Sequence, residues 1–238
     1  FRTRRGQVEP LVLTGDPAPP DAGLTFDVPF EAASNARGDM AFLATTRYPR
    51  RMGVFIMREG ATTTVALSGD RAPTKGGELF DGFDQIYLLD SGEVYFGAAL
   101  ASAPPLSGPA GRAIIKTGPT GLEAVIAPGD HYGGTREIED ALQFDVNEDG
   151  DVLALARVGD FGPLLQDETV GEIVLKSGGL LTTLASVNLS ISGGVDQVRH
   201  LAITFDQIHI DAMGVASFYA STYDFPQGAY FRNAAGRL

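Results

Sequence analysis

The stretch Asn35-Ala36-Arg37-Gly38-Asp39-Met40-Ala41-Phe42 joins a polar turn ending in glycine to the start of an apolar strand. The same arrangement returns as Leu89-Asp90-Ser91-Gly92-Glu93-Val94-Tyr95-Phe96, as Asn147-Glu148-Asp149-Gly150-Asp151-Val152-Leu153-Ala154 and as Asp211-Ala212-Met213-Gly214-Val215-Ala216-Ser217-Phe218. Its glycines at 38, 92, 150 and 214 are spaced by 54, 58 and 64 residues. A turn-plus-strand recurring at a near-constant interval marks tandem supersecondary units. The interval is too long for a leucine-rich or TPR repeat and suits a blade of three or four antiparallel strands.

Working outward from this turn, each unit carries further landmarks. A strand ending in a Gly-Asp loop occurs at Pro10–Asp16, Thr64–Asp70 and Glu123–Asp130, with a decayed copy at Thr183–Asn188. A short apolar strand closed by a turn occurs at Gly53–Gly60, Arg112–Gly118, Gly171–Gly178 and Gly228–Asn233. Between loop and turn lies a segment with apolar residues on alternate positions, as in Phe83-Asp-Gln-Ile86-Tyr-Leu88 and Phe205-Asp-Gln-Ile208-His-Ile210. Alternation of period two is what a half-buried strand requires. The expected architecture is therefore all-β, a single domain over 1–238 of four antiparallel units at approximately 8–60, 61–121, 122–179 and 180–238, most simply a four-bladed β-propeller.

The units are cut one strand out of phase. The last copy stops where its final strand should begin, and the missing strand is expected near the start, at Val8–Thr14. Two closures satisfy this arithmetic. Residues 1–14 could complete the last unit of the same chain, which hides both sheet edges. They could instead complete a neighbour's last unit, which propagates head to tail into a filament.

Bulk composition limits the function classes. A net charge of −12 disfavours nucleic acid and anionic membrane as partners, because both would be repelled. The charge is uneven: residues 1–51 hold seven Arg against six acids, +1, so the remainder carries −13. No cysteine is present, which removes disulfides, thiolate catalysis and Cys-ligated zinc. No run approaches the roughly 18–20 apolar residues of a membrane-spanning helix. The chain begins at Phe1 without a signal-peptide pattern, as expected of a processed form or a fragment.

The pattern Leu13-Thr-Gly-Asp-Pro-Ala18, followed by Asn35–Phe42 and Gly53-Val-Phe, resembles the bacterial secreted tandem-repeat proteins that have an NxxGxxAF motif. Leu67–Pro73 with Ile86–Phe96 match next best, while the third and fourth units have drifted: Asp130 is followed by His-Tyr, and Asn188 stands where Asp would. The resemblance spans nearly the whole chain through short motifs. It implies an extracellular or cell-surface protein and no catalytic residues.

Candidate chemistry is sparse. Asp145, Asn147, Asp149 and Asp151 alternate around Gly150 and could begin a calcium loop, since a hard cation needs several carboxylates on one tight turn. The competing reading is a plain repeat turn, with Asn147 capping the backbone and the acids solvated. The Asp residues of the Gly-Asp loops, 16, 70 and 130, could surround a common axis, or simply bond their own backbone. Arg37-Gly38-Asp39 spells an adhesive tripeptide inside a turn. His131, His200 and His209 have no zinc-site spacing. Glu137 and Glu139 lie in a charged segment, whereas glycoside hydrolysis needs two acids across a cleft. Asn188-Leu-Ser190 is a glycosylation sequon. Phe30, Phe42, Phe83, Phe96, Phe205 and Phe218 are expected in the core, and Tyr48, Tyr219 and Tyr223 on a binding surface.

The functional expectation is a non-enzymatic extracellular structural or binding module with no cofactor beyond a possible calcium ion. Its partner would be itself or an extracellular protein or glycan, with no nucleic acid and no membrane insertion. The alternatives are a filament subunit assembled by exchange of the N-terminal strand, and a glycan-active enzyme.

Overall fold

A computed structural model describes residues 2–4, 7–9, 11–20, 23–103, 108–132, 136–160, 170–186, 198–201, 208–222 and 228–232. Every regular element among them is a β-strand. The chain divides into two compact units, Phe1–Pro109 with Thr117–Leu122, and Ala110–Lys116 with Glu123–Leu238.

The chain opens with a short hairpin, β1 (Arg2–Arg4) against β2 (Gln7–Glu9). The expected strand over Val8–Thr14 is thus corrected: pairing stops at Glu9, and 11–14 run irregularly into the Gly15 turn. The first four-stranded sheet follows in sequence order, β3 (Thr25–Ser34), β4 (Met40–Arg47), β5 (Arg51–Arg58) and β6 (Ala61–Leu67), antiparallel throughout. The second contains β7 (Leu79–Leu88), β8 (Val94–Ala101), β9 (Pro109–Gly118) and β10 (Gly121–Ile126), again in sequence order.

The third sheet gains a strand. β11 (His131–Tyr132) pairs with β12 (Arg136–Val146), and β13 (Val152–Asp160), β14 (Val170–Ser177) and β15 (Leu180–Ser186) complete five strands. At the matching places in the first two repeats stand the single bridges Pro17↔Thr25 and Arg71↔Leu79. In the fourth repeat β16 (Val198–Leu201) and β17 (Ile208–Ile210) both pair with β18 (Ala216–Thr222), whose other side takes β19 (Gly228–Arg232).

The core follows the motif. Phe42 and Phe96, the aromatics that end the first two copies of the turn, are 2% and 0% exposed. Phe42 packs against Phe26 and Phe55 with ring centroids 5.6 and 5.5 Å apart. Phe96 packs against Phe80 and Phe83 at 6.2 and 5.6 Å. Burying each ring is worth roughly 1.5–3 kcal/mol, so these triads dominate the local stability. In the second unit Leu153, Leu155 and Ile173 share one core with Ile208, Ile210 and Phe218, joining the third and fourth repeats.

Phe30 is the exception to the expected aromatic core: it is 49% exposed. The register along β3 slips at Phe26/Val28 and again at Pro29/Glu31. A bulge inserts one unpaired residue, and a slip of one residue reverses which face a side chain occupies. Phe26 takes the core position and Phe30 is turned out of it. Phe205 lies outside the described residues.

Candidate functional site

The repeated turn is built by its first residue. In the first copy Asn35 Oδ1 accepts the backbone N–H groups of Arg37 (3.1 Å) and Asp39 (3.0 Å). Asn35 and Gly38 close the turn through backbone bonds, and Gly38 adopts φ 82°. That conformation costs an L-residue about 1–2 kcal/mol, which explains glycine at 38, 92, 150 and 214. Asn35 Nδ2 meanwhile donates to Leu89 O, in the next repeat's turn, at 3.2 Å. The third copy does the same: Asn147 Oδ1 accepts from Asp151 N (2.9 Å), and Nδ2 donates to Asp211 O (3.3 Å). One asparagine therefore shapes its own turn and fastens it to the next repeat. In the fourth copy Asp211 caps Met213 N and Val215 N but carries no amide to donate.

This division of labour gives a test. Asn35→Asp keeps an oxygen for the cap, as Asp211 does, but loses the donor and sets a carboxylate against Leu89 O. The expected loss is about 1–3 kcal/mol in urea denaturation, where a pure capping role would show almost none.

The Gly-Asp loops are three copies of one geometry. Asp16, Asp70 and Asp130 each turn Oδ2 back onto the backbone N–H three residues earlier, at 2.8, 3.3 and 2.9 Å. Gly15, Gly69 and Gly129 donate to Phe26 O, Phe80 O and Ile138 O, and those three residues donate back to the Asp carbonyls. The three loops are thereby pinned to β3, β7 and β12 in turn. An acid follows each pinned residue, Asp27, Asp81 and Glu139, and each is the unpaired residue of a bulge. The apolar-acid pairs at 26–27, 80–81 and 138–139 were a sequence signal for this, overlooked in favour of the turn.

Around the first turn lies an open groove of about 1280 Å³, with Leu11, Ala32, Met40 and Met57 as apolar lining and Arg37, Asp39, Arg58 and Glu59 as charged lining. Both guanidinium groups are about half exposed, and Asp39 between them is 14% exposed. Arg37 Nη2 stands 3.2 Å from Asp39 Oδ2, and Arg58 Nε 3.8 Å from the same oxygen. Arg58 Nη2 donates to Gly92 O at 2.6 Å, and Arg37 Nη2 lies where a Cβ on residue 92 would project. The tripeptide 37–39 is thus closed on itself by an ion pair. Arg58 also borders a second hollow of about 400 Å³ with Val65, Val94 and Thr117. Sequence reading missed Arg58, because it sits at the end of β5 and meets the turn only through the pairing Met40↔Met57.

The four expected calcium ligands are used separately. Asp145 is buried, with Oδ2 2.7 Å from His209 Nδ1 and 2.9 Å from Ile210 N, and Oδ1 accepting from Val146 N. Asn147 is occupied as described, Asp151 lies beside its amide at 3.5 Å, and Asp149 is exposed. Among the described residues no three His, Asp or Glu side chains are grouped as a metal site would need.

Two charged clusters occupy the third sheet. Glu172, 1% exposed, accepts from Tyr132 Oη (2.5 Å), Thr183 Oγ1 (3.0 Å) and Arg136 Nη1. Burial, then the adjoining Glu172 carboxylate, push the Tyr132 phenol far above its ordinary range. Nearby, Arg157 lies 3.2 Å from Glu139 and 3.5 Å from Asp140. Asp140 Oδ1 is buried without a hydrogen-bond partner. Burial raises its carboxyl, against the opposing pull of Arg157 and Arg112. A folded carboxyl raised above its unfolded value binds protons more readily than the unfolded chain, so stability falls as pH rises through that range. Asp140→Asn removes this component. Relative to that variant, the parent is expected to gain stability on acidification from neutral pH towards about pH 4, in urea denaturation at each pH.

The remaining candidates are dispersed. Glu137 faces His131 at 3.7 Å, and Glu139 faces Arg157. His209, 68% exposed at its side chain, is bonded to Asp145. Tyr48 is 85% exposed with φ 55°. The side chains of Tyr219 and His200 and the residues Tyr223 and Asn188–Ser190 lie outside the described set.

The profile of DUF7453, a family of unknown function, matches residues 1–227. No curated protein matches the chain. Among solved structures it is similar to a gluconolactonase from Xanthomonas campestris, at 13% identity over 88% of this chain and 60% of that one, with a TM-score of 0.41. A protein of unknown function from Dyadobacter fermentans gives 11% identity over 88% and 62%, TM-score 0.38. The polysaccharide lyase Uly1 gives 13% over 87% and 57%, TM-score 0.39. The chain therefore spans about three fifths of the structures it matches.

Proposed function

The chain belongs to DUF7453, and because that family has no known function we propose one from the geometry: a non-enzymatic binding module working in an extracellular or cell-surface setting, which is what the resemblance to the secreted NxxGxxAF proteins implies. One observation carries it. The polar side chains of the repeated positions are spent on backbone groups, as Asn35, Asn147, Asp16, Asp70 and Asp130 are, while Arg37 and Arg58 at the first turn stay half exposed over a groove. Repetition supplies the scaffold, and what differs between copies supplies the contact.

A guanidinium offers five N–H donors in a plane, a match for carboxylate. The ligand of this reading is a carboxylate-bearing extracellular glycan or protein surface, its apolar parts resting on Met40 and Met57. Calorimetric titration with an oligogalacturonate and with a neutral oligosaccharide of equal length tests it. The acidic ligand should bind, and Arg58→Ala should weaken it about tenfold or more. Equal binding of both ligands, or no change in Arg58→Ala, would sink the reading.

A further inference from the structure

The acid in the repeated turn recurs, but the cation beside it does not. Asp39 has counterparts in Glu93 and Asp151, whereas the place of Arg37 is taken by Ser91, Asp149 and Met213. In the third copy Asp151 lies beside the amide of Asn147 at 3.5 Å, as Asp39 lies beside that of Asn35 at 3.3 Å. The acid therefore belongs to the turn, and the first copy adds two guanidinium groups to it.

Both arginines converge on one oxygen. Arg37 Nη2 and Arg58 Nε stand 3.2 and 3.8 Å from Asp39 Oδ2. Residue 92 closes another side of the pair. Arg58 Nη2 donates to Gly92 O at 2.6 Å, and a Cβ on Gly92 would lie 2.1 Å from Arg37 Nη2 and 3.2 Å from Arg58 Nη2. Asn35, Arg37, Asp39, Arg58 and Gly92 all belong to the first compact unit. A carboxylate from outside that engages both guanidinium groups at once needs the place that Asp39 Oδ2 holds. It can take that place, because both arginines are about half exposed and ion pairs open to water are held weakly.

The turn does not depend on the charge of Asp39. Its backbone N–H donates to Asn35 Oδ1, and its carbonyl accepts from Asn35 N. The carboxylate itself is left with the two arginines and the Asn35 amide.

We propose that Asp39 is a built-in competitor: its carboxylate occupies the place between Arg37 and Arg58 that a ligand's carboxylate takes, so the first turn is a self-occupied anion site. This role rests on the groove's binding a carboxylate-bearing ligand, as assigned above, and makes Asp39 the residue that sets the affinity.

Calorimetric titration of an oligogalacturonate into the parent, Asp39→Asn and Asp39→Ser tests it. Both variants keep the backbone bonds to Asn35 and should bind about two- to fivefold more tightly than the parent, which is what an ion pair open to water is worth. In an Arg37→Ala background, which removes the nearer of the two pairs, the gain from Asp39→Asn should shrink. An equal gain in both backgrounds would mean that the acid only repels the ligand from a distance, and overturns the competition. If the parent binds, Arg58→Ala weakens it and neither Asp39 variant is tighter, the competition alone is overturned. If neither the parent nor the Asp39 variants bind, the competition and the ligand class fall together.

Discussion

Replacing Glu172 with Ala should cost about 3 kcal/mol of stability, near the low end of what breaking a buried ion pair costs. The carboxylate is 1% exposed and joins four strands: Tyr132 comes from β11, Arg136 from β12, Glu172 from β14 and Thr183 from β15. Without it a buried phenol and a guanidinium lose their acceptor together. Arg136 is 29% exposed and can turn partly to water, which holds the loss to the lower end. Replacing Glu172, Arg136 and Tyr132 together by Leu, Met and Phe should recover most of it, because apolar residues of similar volume carry no stranded charge. Failure of that recovery would mean that the carboxylate does more than satisfy its donors.

The same cluster predicts behaviour in alkali. The folded chain holds Tyr132 protonated far above the ordinary phenol range, first through burial. Stability attached to this group is complete below about pH 10 and drains as pH rises further, because the unfolded chain releases the proton earlier. Tyr132→Phe should lack that component while losing about 1 kcal/mol at neutral pH for the missing hydrogen bond. Urea denaturation at neutral and alkaline pH reads both effects.

Phe42→Ala is expected to be larger, about 3–5 kcal/mol, as for other buried rings cut to a methyl. Phe42 is 2% exposed and touches two rings, Phe26 and Phe55, which themselves stand 4.9 Å apart nearly edge to face. These rings are fixed by antiparallel pairing, with Phe42 opposite Phe55, so the cavity cannot close without moving strands. Phe30→Ala, at an exposed position of the same sheet, should change folding stability by less than about 0.5 kcal/mol. A similar cost at both positions would contradict the assignment of one ring to the core and the other to the surface.

The repeated turn made the architecture readable because its requirements are local. A chain reversing direction at Gly38 needs a residue that tolerates positive φ and a side chain that caps the freed N–H groups, and both needs appear within four positions. The Gly-Asp loops are legible for the same reason: Asp16, Asp70 and Asp130 each bond three residues back. Phe30 was misplaced because the alternation rule assumes an unbroken register, and bulges at Asp27 and Phe30 break it. Asp145, Asn147, Asp149 and Asp151 looked like a ligand set because spacing lists oxygens without saying where they point. Asp145 points to His209 and Ile210, 64 and 65 residues away.

The sequence by itself determined an all-β chain of repeated antiparallel strands, its turns and the Phe42 and Phe96 core anchors. These depend on period-two alternation and on bonds reaching only a few residues. Tertiary structure alone decided the rest. It set the second bond of Asn35 to Leu89, the convergence of Arg37 and Arg58 at Gly92 and the four-strand clasp on Glu172. Each of these joins residues separated by tens of positions, and whether they meet is fixed by strand register and by the packing of one sheet on the next.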